Sequence, residues 1–409
     1  MKLFVVIWKA LRVFLLLLLG WMLWGFLVAP VYRFAGPKPF AGENIYDPYS
    51  GLDTATQWRK ANFHAHSKLN GGLTNGAKLP KDVVWDYRSY DYDIIGISNY
   101  NHITQWEPVA RTEYHIPVYE HGINLFKYHQ LIFGAGSLNS VDIMLPVTRW
   151  QKQYLLNRLG RRADLLCVNH PNFTLCFSPN EMRYLTGYRC MEAESGMARS
   201  SVYWDNALSS GIPSFDLAGD DSHNTDRPHD IATDCNFLAT PSLKYADVLE
   251  TLRAGRYYAM KIPNFGDGDT TVKRAAIRNL PRVESVALSG DSVSVRFSRE
   301  AAIRFIGQNG AVKREVRSAQ AGYRFTASDT YIRVSVEFDD GVHIFLQPWF
   351  RYAGTDPFAV TAPTVNVTLT VLKDIVLAAI MLWMLVVAVK IIVCKKKRYG
   401  KGQRYAGYR

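Results

Sequence analysis

Two apolar runs bracket this 409-residue chain and limit where the rest of it can fold. Residues 11 to 29 read LRVFLLLLLGWMLWGFLVA, and residues 375 to 394 read IVLAAIMLWMLVVAVKIIVC. Each is about the length that crosses a bilayer core as a helix. Arg12 interrupts the first near its start, and Lys390 the second near one end, where it can snorkel. A cleaved signal peptide would have a shorter apolar stretch and an Ala-x-Ala site after it, so residues 1–33 read as an uncleaved anchor. Lys395, Lys396, Lys397 and Arg398 follow the second run and favour a transmembrane helix over residues 371–394 to a buried core helix.

The net charge of +12 fits the same picture. Residues 1–33 carry Lys2, Lys9, Arg12 and Arg33 without an acid, and the tail 395–409 holds seven more Lys or Arg without one. The region between is close to neutral, so the basic balance is a topology signal and no nucleic-acid footprint. Positive flanks stay cytoplasmic. Both termini are therefore expected on the cytoplasmic side of the cell inner membrane, with residues 34–370 outside, in the periplasm of a bacterium. Cys167, Cys176, Cys190 and Cys235 lie in that region, and their spacing fixes no disulfide pairing.

Residues 34–58, rich in Pro, Gly, Tyr and Asp, read as a linker lying on the domain surface. From 59 to 262 strand-like and helix-like segments alternate: helix 81–90, strands 93–98 and 130–134, helix 150–161, strands 164–168 and 189–193, helix 202–210, strand 214–218 and helix 243–254. That alternation predicts a parallel α/β barrel or wound sheet. From 273 to 352 the period changes to two, with turns at Ser289-Gly290-Asp291, Asn309-Gly310 and Asp339-Asp340-Gly341. Six short strands there predict a small β-sandwich domain, joined by a tether, 353–370, to the second span.

Nine of the ten histidines fall between His64 and His229. Several come in a definite order with acids: His64-Ala65-His66, Glu120, His129, His170 before Pro171, then Asp221-Ser222-His223. Histidines and carboxylates delivered singly from strand ends are what a metal site in an α/β barrel needs. This order resembles the PHP superfamily (polymerase and histidinol phosphatase), metal-dependent phosphoesterases on a distorted (β/α)7 barrel. The resemblance covers residues 59–262: an opening HxH, a Glu, a His ahead of a strand, a His-Pro and a closing DxH. The segments DTYIRVSV and FLQPWFRY look like a C-terminal extension carried by some members.

Carried over, the resemblance implies one divalent ion on His64, His66, Glu120 and Asp221, with Glu120 bridging to a second on His129 and His170. Mn, Zn or Fe suits such ligands. A third site would need an Asp in an SDG and a His in a TDH, but this chain has Gly71 in Asn70-Gly71-Gly72 and Tyr100 in Ser98-Asn99-Tyr100. His102 is the nearest substitute. His223, freed from a third ion, would protonate a leaving alkoxide or hold phosphate, and Glu120 would complete the catalytic pair. Asn99, Tyr100, Asn101 and Glu192 are expected to line the pocket, with Glu194 another wall candidate. Asp220 reads as support or surface, and His115, His121 and His229 as structural or surface residues.

Three functions stay open on the sequence: a membrane-anchored phosphoesterase, a PHP-like pseudoenzyme serving as scaffold in an envelope complex, and a metal-dependent hydrolase of another bond, such as an amide. Gly71 and Tyr100 favour the second. Location alone points the first toward a lipid-linked or envelope-derived phosphate ester. Membrane lipids and envelope proteins are the expected partners, and nucleic acid is not.

Overall fold

The computed structural model describes residues 2–53, 55–69, 76–122, 124–139, 141–144 and 148–393, and divides into two compact units. The smaller joins the two ends of the chain. Its helices, Lys2–Val28 and Val367–Val393, are long and apolar enough to cross a membrane. Each covers the expected run except for its last residue and extends toward the N-terminus of it. Many of their large apolar side chains, among them Leu15, Leu17, Trp21, Ile375 and Leu382, are exposed, which suits lipid better than water. Where the first helix ends, its last carbonyls need donors. Lys373 supplies them, donating Nζ to the carbonyls of Phe26 and Ala29. Cys394 and the tail 395–409 lie outside the described residues.

The larger unit, Tyr32–Thr364, is mixed α/β. Its five-stranded sheet runs Val118–His121, Gln130–Phe133, Leu165–Val168, Cys190–Met191, Phe215–Asp216. The first three segments are buried at every residue; the first, which carries Glu120 and His121, was not read as a strand from the sequence. The first two pairings are antiparallel and the last two parallel, so the expected all-parallel barrel is corrected to a mixed sheet. A short connection, residues 122–129, joins the first two strands, and such a length permits a hairpin but no crossover helix. Helices Pro80–Ser89, Arg149–Gly160, Ser201–Leu208 and Tyr245–Arg253 fall close to the predicted segments. Thr148 starts the second of these with a reciprocal capping box to Gln151.

The C-terminal strands do not form a separate sandwich. They belong to one ten-stranded sheet that also holds Arg59–Asn62 and Ile94–Ile95. The junction is His343–Tyr352, which pairs antiparallel with Tyr257–Lys261. Without it, Tyr257–Lys261 would present an open edge. The strands are also fewer and longer than predicted: Ser292–Gly307 absorbs two of them and shifts register between Arg296 and Ala301. Residues 34–58 are likewise more than a surface linker. Asn44–Tyr46 adds a strand to His343–Tyr352. Tyr49 is buried, with its hydroxyl donating to the Tyr257 carbonyl and accepting from the Gln347 N–H. The helix Thr270–Arg278 had no counterpart in the sequence reading; Asp269 caps it.

Two buried polar contacts help to tie the C-terminal strands to the rest. The Gln347 amide accepts from the Asp216 N–H and donates to the Asp216 carbonyl, both at 2.8 Å. Asp205, on the helix Ser201–Leu208, takes Arg333 Nε at 2.8 Å and Nη2 at 2.7 Å, plus the Tyr331 hydroxyl at 3.0 Å. All three residues are buried. Removing one partner of a buried pair strands the other charge. Asp205→Ala should therefore destabilise the protein by about 3–5 kcal/mol in denaturant unfolding. The charge-free double variant Asp205→Leu/Arg333→Met should lose much less, and equal losses would show that the two charges are not coupled.

Candidate metal centre

The histidines and acids singled out in the sequence converge. Arg59–Asn62 delivers His64 and His66 just past its end, and Val118–His121 carries Glu120. His129 precedes Gln130–Phe133, and His170 follows Leu165–Val168. Asp221 sits where Ala65 and Ser222 form a parallel bridge between separate segments. Ligand atoms of His64, His66, Glu120 and Asp221 all lie within 4.8 Å of one another, and so do those of Glu120, His129 and His170. Either group could hold a metal ion, and Glu120 belongs to both.

Glu120 is the hub. Its Oε1 lies 2.7 Å from His129 Nδ1, 3.4 Å from His64 Nε2 and 3.5 Å from His170 Nε2, and its Oε2 lies 3.2 Å from His66 Nε2. Asp221 Oδ1 stands 3.2 Å from His64 Nε2 and 3.1 Å from His66 Nε2. Burial alone would raise the Glu120 carboxyl, but the imidazoles of His129 and His64 outweigh it and hold it well below the usual carboxylate range. Asp221, raised by burial and lowered by His64 and His66, also ends below its ordinary value.

Several of these buried atoms, His64 Nε2, Glu120 Oε2 and both ring nitrogens of His129, make no hydrogen bond. The 2.7 Å approach of His129 to Glu120 is thus a contact without hydrogen-bond geometry. Buried polar atoms are rarely left unpaired. So many orphans facing one point, among imidazoles and carboxylates, fit divalent cations of the Mn, Zn or Fe type.

The surrounding residues hold this set in place. Glu192 Oε1 binds His64 Nδ1 at 2.7 Å, which leaves Nε2 facing the centre, and its Oε2 accepts the His170 N–H. Gly219 makes room for this pair, since a Cβ there would sit 2.6 Å from Glu192 Oε1 and 2.7 Å from His64 Cβ. Asn169 donates to Glu120 Oε1 at 3.1 Å. Asp220 is no surface residue: buried, it accepts from Tyr87, from the N–H groups of Ala232, Thr233 and Asp234, and from the Thr233 hydroxyl. Asn101, His170 and Asp221 all adopt positive φ, a conformation that costs non-glycine residues energy and gathers at functional sites.

Other expected residues fall elsewhere. Asn99 lies buried, bonded to Ser67 and Thr104, so it braces a turn and does not line the cleft over the ligands. Glu192 supports His64 from behind, and Glu194 binds Ser201 and Arg199; neither lines the cleft. Asn101 donates its N–H to the Glu120 carbonyl and is absent from the cleft lining too. His102 is exposed and joins neither ligand group. His115 and His121 are buried with hydrogen-bonded rings, and His229 is exposed. Asn70, Gly71 and Gly72 lie outside the described residues. Cys167, Cys176, Cys190 and Cys235 are free, buried thiols.

A cleft of about 370 Å³ opens over the centre, lined by Tyr100, His129, His170, Asp221 and His223 together with residues the sequence did not single out, Lys127, Phe173, Met197 and Asp230. Tyr100 lies between His66 and His129, with ring centroids 4.7 and 5.2 Å away. Burial, then the Glu120 and Asp221 carboxylates, push its phenol up, so it stays neutral. His223 stacks on His66 at 4.2 Å and donates from Nδ1 to the Asp221 carbonyl, which turns Nε2 into its free nitrogen.

No protein-family model matches the chain, and no curated protein does. Among solved structures it is similar to a two-domain protein from Bacteroides vulgatus ATCC 8482 containing a predicted PHP-like metal-dependent phosphoesterase. The identity is 13% over 82% of this chain and 99% of that one, with a TM-score of 0.36. So slight a likeness carries no argument for fold or function.

The geometry predicts graded effects on metal affinity. His66→Ala should remove a direct ligand, lowering bound metal and, by mass action, the thermal midpoint. Glu192→Gln should weaken affinity about ten- to hundredfold, the usual cost of losing a group that orients a ligand. Metal titration of both variants against wild type checks this; unchanged affinity in both would remove His66 and Glu192 from the centre.

Proposed function

We propose that this chain is a membrane-anchored, metal-dependent phosphoesterase of PHP type, with its two apolar helices in the inner membrane and its metal centre in the periplasm. One observation carries the reading: six buried side chains form two ligand groups that share Glu120, beneath an open cleft. A pair of divalent ions on these residues would polarise a phosphoryl oxygen and bring the pKa of a coordinated water toward neutrality.

The chain's own groups do the rest. Glu120 and Asp221 supply the negative charge that offsets cations, and Asn169 and Glu192 keep the ligands oriented. Lys127, on the exposed rim, is the cation placed to meet a substrate phosphate oxygen. His223 lines the cleft with Nε2 free, where a proton can pass to the leaving oxygen. Phe173 and Met197 give one part of the wall an apolar character that suits an organic leaving group. A lipid-linked or envelope-derived ester is the proposed substrate class.

One feature favours the scaffold alternative. Tyr100, standing where the resemblance expects a histidine ligand, fills the space beside His66 and His129 with a neutral phenol. Glu120→Gln separates the two readings, because it removes the shared charge and nearly keeps the shape. Hydrolysis of an aryl phosphate by the full-length protein with Mn, Zn or Fe supplied should fall at least about a hundredfold in this variant. No wild-type hydrolysis of mono- or diesters, together with normal cellular function of Glu120→Gln, would decide for the scaffold.

A further inference from the structure

The turn that brings Lys127 to the cleft is braced on both sides. Asn124 is buried, and its side-chain amide accepts from the Tyr128 N–H at 2.8 Å and donates to the Tyr128 carbonyl at 2.9 Å. Tyr128 is buried too, and its hydroxyl donates to the Lys152 carbonyl at 3.0 Å. The Leu125 N–H donates to the Met144 carbonyl at 3.2 Å. The Thr174 hydroxyl donates to the Phe126 carbonyl, which straps the turn to the segment holding His170 and Phe173.

Three consecutive residues project from this turn, and two of them are apolar. Leu125 is 65% exposed and Phe126 37%, and the exposed Lys127 follows them at a φ of 57°. Positive φ strains a residue with a side chain and gathers at functional sites. A loose loop would fold such side chains back onto the surface. A turn held from both sides keeps them in water.

Single exposed apolar side chains are ordinary. These two are adjacent to each other and to a residue that lines the cleft. The cleft itself already holds Phe173 and Met197, the latter 42% exposed. Leu125 and Phe126 do not line it; they form a shoulder one and two residues from Lys127, at most about 7 Å along the chain. Asp230, an acid of the cleft outside the ligand groups, stands 3.6 Å from the His229 ring. The cleft therefore offers imidazoles and Lys127 to an anion, and apolar surface next to Lys127 to whatever that anion is attached to.

We propose that Leu125 and Phe126 bind the apolar chain of an amphiphilic phosphate ester whose phosphate enters the cleft beside Lys127. The inference rests on the phosphoesterase reading of the metal centre, and it gives that reading a geometric ground for an apolar alcohol. Because the shoulder adjoins Lys127, the apolar chain begins within a few atoms of the ester oxygen. A polar alcohol such as a sugar would leave both side chains in water and gain nothing from them.

The test compares octyl phosphate with methyl phosphate, using the full chain in neutral-lipid nanodiscs with Mn, Zn or Fe supplied. Wild type should hydrolyse the octyl ester with a kcat/KM at least about tenfold higher. The variant Leu125→Ser/Phe126→Ser should lose about five- to fiftyfold on octyl phosphate and stay within about twofold on methyl phosphate. The loss should fall in KM, since the chain is held equally in the ground and transition states. Comparing wild type with variant cancels partition of the ester into lipid. Leu125→Ser alone, at the more exposed position, covers the case in which the double variant does not fold. Calorimetric titration with octylphosphonate and methylphosphonate, whose C–P bond resists hydrolysis, reads binding without turnover. A preference for octylphosphonate that the variant loses, without hydrolysis of any ester, would sink the phosphoesterase reading and leave the shoulder standing. No octyl preference in wild type by either measurement, or a preference undiminished in the folded variants, overturns the proposal.

Discussion

A carboxylate sealed from water keeps its charge only where positive charge surrounds it. Glu120 is fully buried and meets four imidazoles within 3.5 Å. The positive charge that balances it, and Asp221 beside it, comes either from protons on those imidazoles or from cations bound among them. The arrangement of the larger unit around this point follows from that constraint. Four segments, those of His64 and His66, His129, His170 and Asp221, must end within a few ångströms of Glu120, and each must stay rigid enough to hold a side chain there.

The fold meets this demand with buried strands and paired polar groups. Of the short, fully buried strands, Val118–His121 carries its ligand within it, and Gln130–Phe133 and Leu165–Val168 lie one and two residues from theirs. The turns that follow accept positive φ at His170 and Asp221, and the hydrogen bonds of Glu192 and Asp220 hold those turns. The C-terminal strands contribute from a distance. Gln347 pairs with the backbone of Asp216, and Asp205 holds Arg333, so the wall behind Glu192 and Asp221 is fixed to a large sheet. That continuity explains why residues 273–352 do not stand as a separate domain.

The ligands were legible because each type is chemically distinctive and their order survives in one dimension. His64, His66, Glu120, His129, His170 and Asp221 all come together. The pocket wall was harder to read. Asn99 falls in the motif where the resemblance expects a ligand and Glu192 follows a strand end, yet they turn away from the cleft to satisfy buried groups, and a place in a motif does not reveal which way a side chain turns. Lys127 and Met197 come from loops with no pattern of their own. Alternation placed the four helices between residues 80 and 253 closely, but pairing direction depends on tertiary contacts, and so the antiparallel start of the five-stranded sheet had no local signature. The continuous ten-stranded sheet was hidden for the same reason: nothing local in Tyr257–Lys261 marks His343–Tyr352 as its partner.

Elemental analysis of the full-length protein tests the central claim most directly. The chain, purified in neutral detergent, is supplied with Mn, Zn and Fe in turn and dialysed before measurement. Two ligand groups sharing Glu120 predict about two divalent ions per chain for at least one metal. No retained metal under any of these conditions would contradict the account, leaving a cluster of buried imidazoles and carboxylates neutralised by protons alone.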